Sequence, residues 1–345
     1  MNNKNILYSI IIASWNAEDT IVDAVLSVTC QLKENYEVIV VDDCSTDNTY
    51  QRLRISFQFN PNVKIYKNIK NMGPSASRNF GILRSRGEYI GFLDADDTYA
   101  DGLFDIVSQT IAKNEPEVIK FGLKEIYNKF EKSVSSLSFF SDKRKEICRK
   151  SIELEGLPLF GYSTNGFYNA SVLKQNQFLF DPKLRFAEDF FFNYDVFKKV
   201  EKFEFIDFLG YSYNKKSNNS LSQKKVENYG LLYKNKISLL CDWARRNDCF
   251  SECQGDLFFL LTKTIYSSTV REIQEGRIFK TYKNIMMFFE TKEFESLIPN
   301  SPIKGIRRIV YFPILIKSPI LIVLFSLIIS IVIKINPVVL KALNK

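Results

Sequence analysis

The sequence predicts an α/β fold, a mostly parallel sheet with helices on both faces, followed by a helical region and an apolar tail. Three observations lead there. Short, almost wholly apolar runs alternate with helix-patterned segments over residues 6–97, as expected of buried parallel strands joined by crossover helices. Three of those runs end in polar clusters, at Asn16, Asp43 and Asp94. The chain then closes on a basic stretch and a uniformly apolar one.

Taken in order, Ile6 to Ile12 reads as a buried strand that stops at Ala13-Ser14-Trp15-Asn16. Asn16 suits a helix cap, with Asp19 three residues on. The next helix carries Ile21, Val22, Val25 and Val28 on one face. Glu37 to Val41 is a second strand, ending in the turn-rich segment Asp42 to Asp47, and Thr49 to Phe57 is a helix. Val63 to Tyr66 is a third strand, Asn68 to Pro74 a loop, Ser75 to Ser85 a helix and Tyr89 to Leu93 a fourth strand. Beyond these, Val118 to Phe121, Gly161 to Tyr168 and Phe203 to Asn214 read as sheet, and Phe186 to Lys199 as helix. In an open sheet of this kind, ligands bind beyond the carboxyl ends of the strands.

Composition narrows the chemistry. The 345-residue chain has no histidine, which removes imidazole bases, His-containing triads and His-ligated zinc. Its six cysteines form no C-x-x-C pair and read as reduced thiols. No signal peptide is expected at Met1 to Asn5. The net charge of +8 is spread along the chain rather than gathered into the basic face that nucleic acid requires.

Acid–base work therefore falls to carboxylates. Asp94, Asp96 and Asp97 lie within four residues at the end of an apolar strand. Such carboxylates repel one another unless a cation or a donor-rich ligand sits among them. Oxygen-only ligands favour Mg²⁺ or Mn²⁺, ions that also bind phosphate oxygens. Asp97-Thr98 also reads as a cap for a helix over 101–112. Asp42-Asp43 should lie nearby, able to accept hydrogen bonds from a base or a ribose, or serving only the turn. Arg78, on the helix after Gly73-Pro74, can neutralise a diphosphate or form a surface ion pair. Glu188-Asp189 suits a general base, or compensates a helix dipole.

Together these strings resemble the family 2 inverting glycosyltransferases of GT-A fold that serve bacterial cell-surface polysaccharides. The resemblance rests on Ser9 to Asn16, Val40 to Asp47, Asn71 to Asn79, Gly87 to Asp97 and Glu188-Asp189. It is strong to about residue 115, thinner to 222, and departs from the family at Ala13 (usually Pro), Trp15 (usually Tyr or His) and Cys44 (usually Gly). It implies a nucleotide-sugar site at Ala13, Asn16, Asp43, Arg78, Asp94 and Ala95. Asp43 would meet the base, Asp94 the ribose, and Arg78 would lie near the diphosphate. Asp96 would hold Mn²⁺ or Mg²⁺, and Asp189 would be the catalytic base. Glu188, Tyr211 and Tyr213, with Ser220-Leu221-Ser222, would shape or support the acceptor side, and strand packing accounts equally well for the two tyrosines. The implied partners are a nucleoside-diphosphate sugar, a UDP-sugar first, and a saccharide or lipid-linked acceptor.

The expected layout is a glycosyltransferase domain over 1–222 (1–115 for the nucleotide sugar, 116–222 for the acceptor), a helical region over 223–303 and a membrane-associated tail over 304–345. In that tail Ile309 to Ile316 and Ile320 to Ile333 are apolar, separated by Lys317-Ser318-Pro319. It could span, dip into or lie on a bilayer, which sets the protein at the cytoplasmic face of the cell membrane. Two rival readings are a nucleotidyltransferase, against which stands the lack of an early Gly- and Lys/Arg-rich phosphate loop, and a catalytically inactive, membrane-tethered nucleotide-sugar-binding protein.

Overall fold

The computed structural model describes residues 6–184, 186–215, 229–299 and 305–335. The chain divides into two compact units, residues 1–225 and 226–345.

The first unit opens with β1 (Tyr8–Ser14), α1 (Ile21–Thr29), β2 (Tyr36–Asp42), α2 (Thr49–Phe57), β3 (Val63–Lys67), α3 (Pro74–Arg84) and β4 (Tyr89–Asp94). The four strands stand in the order β3-β2-β1-β4, all parallel. Every residue of β2 is buried, and so is nearly all of β1. Both faces are covered, so these strands read as continuous apolar runs. Register brings Ser14 beside Asp42 and Ala13 beside Asp94. The carboxyl ends of three strands are therefore level, and their polar loops share one edge.

The unit continues with β5 (Thr98–Tyr99), α4 (Leu103–Asn114), β6 (Val118–Ile126), β7 (Glu131–Val134), β8 (Phe139–Ser141), α5 (Arg144–Gly156), β9 (Gly166–Asn169), α6 (Ala170–Gln175), α7 (Glu188–Phe197) and β10 (Phe203–Asn214). Here the mostly parallel expectation needs correction. β9 lies antiparallel between β4 and β6, and β5, β7 and β8 pair antiparallel too, so the sheet is mixed. Glycine lets β9 in: a Cβ on Gly91 of β4 would stand 2.8 Å from the ring of Phe167. Aromatic side chains fill the space beneath, with Phe180 and Phe192 stacked at 4.1 Å.

The second unit holds α8 (Tyr229–Arg246), α9 (Phe250–Gln274), α10 (Ile278–Phe289), α11 (Lys292–Leu297), α12 (Ile306–Leu315) and α13 (Pro319–Ile335). α9 is its spine and packs on α8, α10 and α13. Among the described residues, no helix is long and apolar enough to cross a membrane. α13 has 17 residues, about 25 Å at 1.5 Å per residue, short of the ~30 Å hydrocarbon core. The expected boundaries at 222/223 and 303/304, and Ser220-Leu221-Ser222, lie outside the described residues.

Candidate active site

The site forms where the level ends of β1, β2 and β4 meet the start of α7. Its centre is Arg78. Helix α3 can press its first two turns against β1 because residue 81 is glycine: a Cβ there would stand 2.4 Å from Ile11 Cγ2. Arg78 thereby reaches under the strand ends and is almost fully buried. Its guanidinium donates to Asp94 Oδ1 at 2.7 Å and to Asp189 Oδ1 at 3.3 Å, and lies 3.8 Å from Glu188 Oε1. Burial disfavours its charge, but Asp189, Asp94 and Glu188 outweigh that and raise its pKa. The sequence reading sets Arg78 beside a diphosphate; the structure sets it among three carboxylates from two separate motifs.

Asp189 sits in the first turn of α7 and also accepts from Ser163 Oγ at 2.8 Å. Burial raises its pKa; Arg78 lowers it, Asp94 adds to the rise, and Ser163 and Lys120 oppose it. Glu188 is raised to about 7, by burial first and then by Asp189. Asp189, a carboxylate whose pKa burial raises and whose one oxygen is fixed by two donors, has the character of a general base.

Asp94 ends β4 with its side chain 36 % exposed. Ala95 is buried. Asp96 is raised to about 6, by burial and then by the charge of Asp94. Among the described residues no group of three or more potential ligands stands ready to cage a metal. One carboxylate completed by phosphate oxygens and water is, however, how Mg²⁺-type ions are commonly held, and a half-buried carboxylate in an acidic neighbourhood suits such a cation.

Asp97 is not a helix cap. Its buried carboxylate accepts from Tyr211 Oη and from the Asn214 backbone N–H, both at 2.6 Å. Gly102 stands at the N-cap of α4 instead. Asn214 also donates to the Asp96 carbonyl. Tyr211 thus supports the acidic turn from β10, and Tyr213 packs edge-on against Tyr162 at 5.9 Å.

Asn16 corrects a second capping expectation. It adopts φ 49°, its side chain accepts from the Thr46 N–H at 2.9 Å, and α1 begins only at Ile21. Asn16 therefore ties the first loop to the second. Asp43 is buried, and its oxygens accept from Asn68 Nδ2 at 2.7 Å and from the Met72 and Gly73 N–H groups at 2.9 and 2.7 Å. It shapes the 68–73 loop, leaving little acceptor capacity for a base. Cys44 sits at φ 63°, a left-handed backbone that favours glycine.

Sequence reasoning missed Lys120. Its ammonium, buried on β6, donates to the carbonyls of Leu159 and Phe160 at 3.2 Å, to Asn165 Oδ1 at 3.0 Å and to the Tyr162 carbonyl. Burial pushes its pKa down to about 7 against the pull of Asp189 and Glu155. The 159–165 segment is thus wound around a cation. That is why strand structure begins only at Gly166 rather than at Gly161, and it is how Ser163 comes to face Asp189.

Residues 9–175 match the family model "Glycosyl transferase family 2". These residues are a family 2 glycosyltransferase domain. The match takes in Asp43, Arg78 and the acidic turn and stops short of Asp189. The glycosyltransferase domain is similar to the Bacillus subtilis minor teichoic acid biosynthesis protein GgaA, at 30 % identity over 226 residues, 61 % of this chain and 47 % of that one. It is also similar to the Staphylococcus aureus poly(ribitol-phosphate) beta-N-acetylglucosaminyltransferase TarS, at 26 % over 209 residues, 60 % of this chain and 35 % of TarS. The chain thus spans about half of GgaA and a third of TarS. The structure of S. aureus TarS 1-349 with UDP-GlcNAc superposes with a TM-score of 0.58 at 21 % identity, over 81 % of this chain and 89 % of that one. That likeness shows the shared GT-A-like α/β fold with its helical C-terminal region.

Proposed function

We propose that the protein transfers a sugar from a nucleoside-diphosphate sugar to a hydroxyl of a saccharide or lipid-linked saccharide, with inversion, in cell-surface polysaccharide synthesis. The observation that carries this reading is the convergence on Arg78 of Asp94, Glu188 and Asp189, residues that transfer chemistry needs together and that lie far apart in sequence. The names of the relatives support the class of product, and the UDP and UDP-GlcNAc complexes of TarS support a UDP-sugar as donor.

Asp189 takes the proton of the acceptor hydroxyl as its oxygen attacks the anomeric carbon from the face opposite the diphosphate. The carbon–oxygen bond to the diphosphate breaks, and the nucleoside diphosphate leaves. Arg78 holds the base in line with Asp94, whose exposed edge suits a ribose hydroxyl. Asn16, Ala13 and Asp43 shape the loops around the nucleotide, and Ala95 packs beneath the turn. Asp96 would hold Mn²⁺ or Mg²⁺, which when bound neutralises charge on the diphosphate. Tyr213 and Tyr211 flank the acceptor side. The same reading puts the protein at the cytoplasmic face of the membrane, where lipid-linked acceptors lie.

The test is nucleoside diphosphate release by the full chain from a panel of nucleotide sugars, with Mn²⁺, with Mg²⁺ and with chelator. Release from one UDP-sugar, lost with chelator and by Asp96→Ala, is the expected result. Metal-independent release unaffected by Asp96→Ala would overturn the metal assignment.

A further inference from the structure

Beyond Arg307 and Arg308, α12 is apolar except for its proline, and α13 is apolar apart from two serines and Lys334, yet only one side of each is covered. On α13, Ile322 and Ser326 are buried, on a helix that packs against α9 and α10. Ile320, Leu324, Ile328 and Ile331, at spacings of three and four, face outward with relative exposures of 71, 49, 58 and 55 %. On α12, Ile309 and Phe312 do the same, at 60 and 52 %. Isolated exposed apolar residues are ordinary; exposed apolar residues repeated at helical spacing on each of two successive helices mark a surface that something covers.

Charge selects the occupant. From 305 to 335 the chain has no Asp or Glu. Arg307 and Arg308 are exposed at the start of α12. A second copy docked face to face would bring the same cations together. An anionic lipid surface offers headgroup phosphates to the arginines and acyl chains to the apolar row. α13 is too short to cross, so the helices would lie along the interface, as monotopic segments do.

We infer that the outer face of α12 and α13 docks in the plane of an anionic membrane, its apolar row among the acyl chains and Arg307 and Arg308 at the headgroups. This rests on the proposed membrane location but not on the transfer reaction, because its test needs neither donor nor acceptor. The full chain is mixed with vesicles of phosphatidylcholine alone or of equal parts phosphatidylcholine and phosphatidylglycerol, and binding is read by flotation. The wild type is expected to float with the mixed vesicles. Joint Ile320→Asn, Leu324→Asn and Ile328→Asn should weaken binding at least about 100-fold. Arg307→Gln with Arg308→Gln should erase the preference for the anionic mixture. If the first variant loses helicity by circular dichroism, Ile309→Asn with Phe312→Asn decides in its place. Failure of the wild type to float, or flotation of these variants like the wild type, would overturn the proposal. So would a wild-type dimer that the apolar substitutions split into monomers without any vesicle binding.

Discussion

Ser163 donates to the same Asp189 oxygen that Arg78 holds, and this bond favours the charged base. The groups facing that carboxylate are Arg78 from α3, Asp94 from β4, Lys120 from β6, Ser163, and Glu188 beside it. Asp189 must be deprotonated to accept a proton, so transfer should rise with pH through its pKa, which lies above the ordinary carboxylate range. Removing a donor to the charged form raises that pKa further. Ser163→Ala should therefore move the rising limb of kcat to higher pH by about half a unit, as a pH–rate profile would record; an unmoved limb would mean that Ser163 does not touch the working base. At this scale the motif carboxylates were legible, because strand ends and acidic strings announce themselves. Their partners were not. Nothing in the string around Asp97 points to Tyr211, 114 residues away, and only a turn that needs φ 63° explains why glycine would be at home where Cys44 stands.

The element that the linear pattern hides best is the 159–165 segment. A buried lysine on a strand reads as an irregularity, and only the fold shows that it gathers carbonyls from Leu159, Phe160 and Tyr162. Lys120→Met should cost about 3 kcal/mol, since it leaves those buried acceptors unpaired. It should also lower kcat with little change in the donor KM, because the segment carries Ser163 and makes none of the donor-side loops. Chemical denaturation and steady-state kinetics test the two halves separately; a fall in donor affinity alone would contradict this account of the segment. The helices fared better in the sequence. α2, α3 and α7 begin within two residues of where caps, Pro74 and the acidic pair suggest. β5, β7 and β8 escaped because two- to four-residue edge strands carry almost no period.

Across the whole molecule, the parallel half was readable because βαβ connections leave continuous apolar runs. The antiparallel entry of β9 was not, because strand direction is set by where the chain returns, here through glycines 91 and 166. The tail was readable as apolar but not as two helices that cover one flank each. What unites the first unit is the gathering of remote carboxylates on one buried arginine, and the role given to Asp189 is the claim on which the mechanism stands. The direct measurement is transfer by Asp189→Asn beside its binding of UDP with Mn²⁺. Binding within a few fold of wild type, with turnover down about a thousandfold, is the predicted result. Turnover close to wild type would show that another group takes the acceptor's proton.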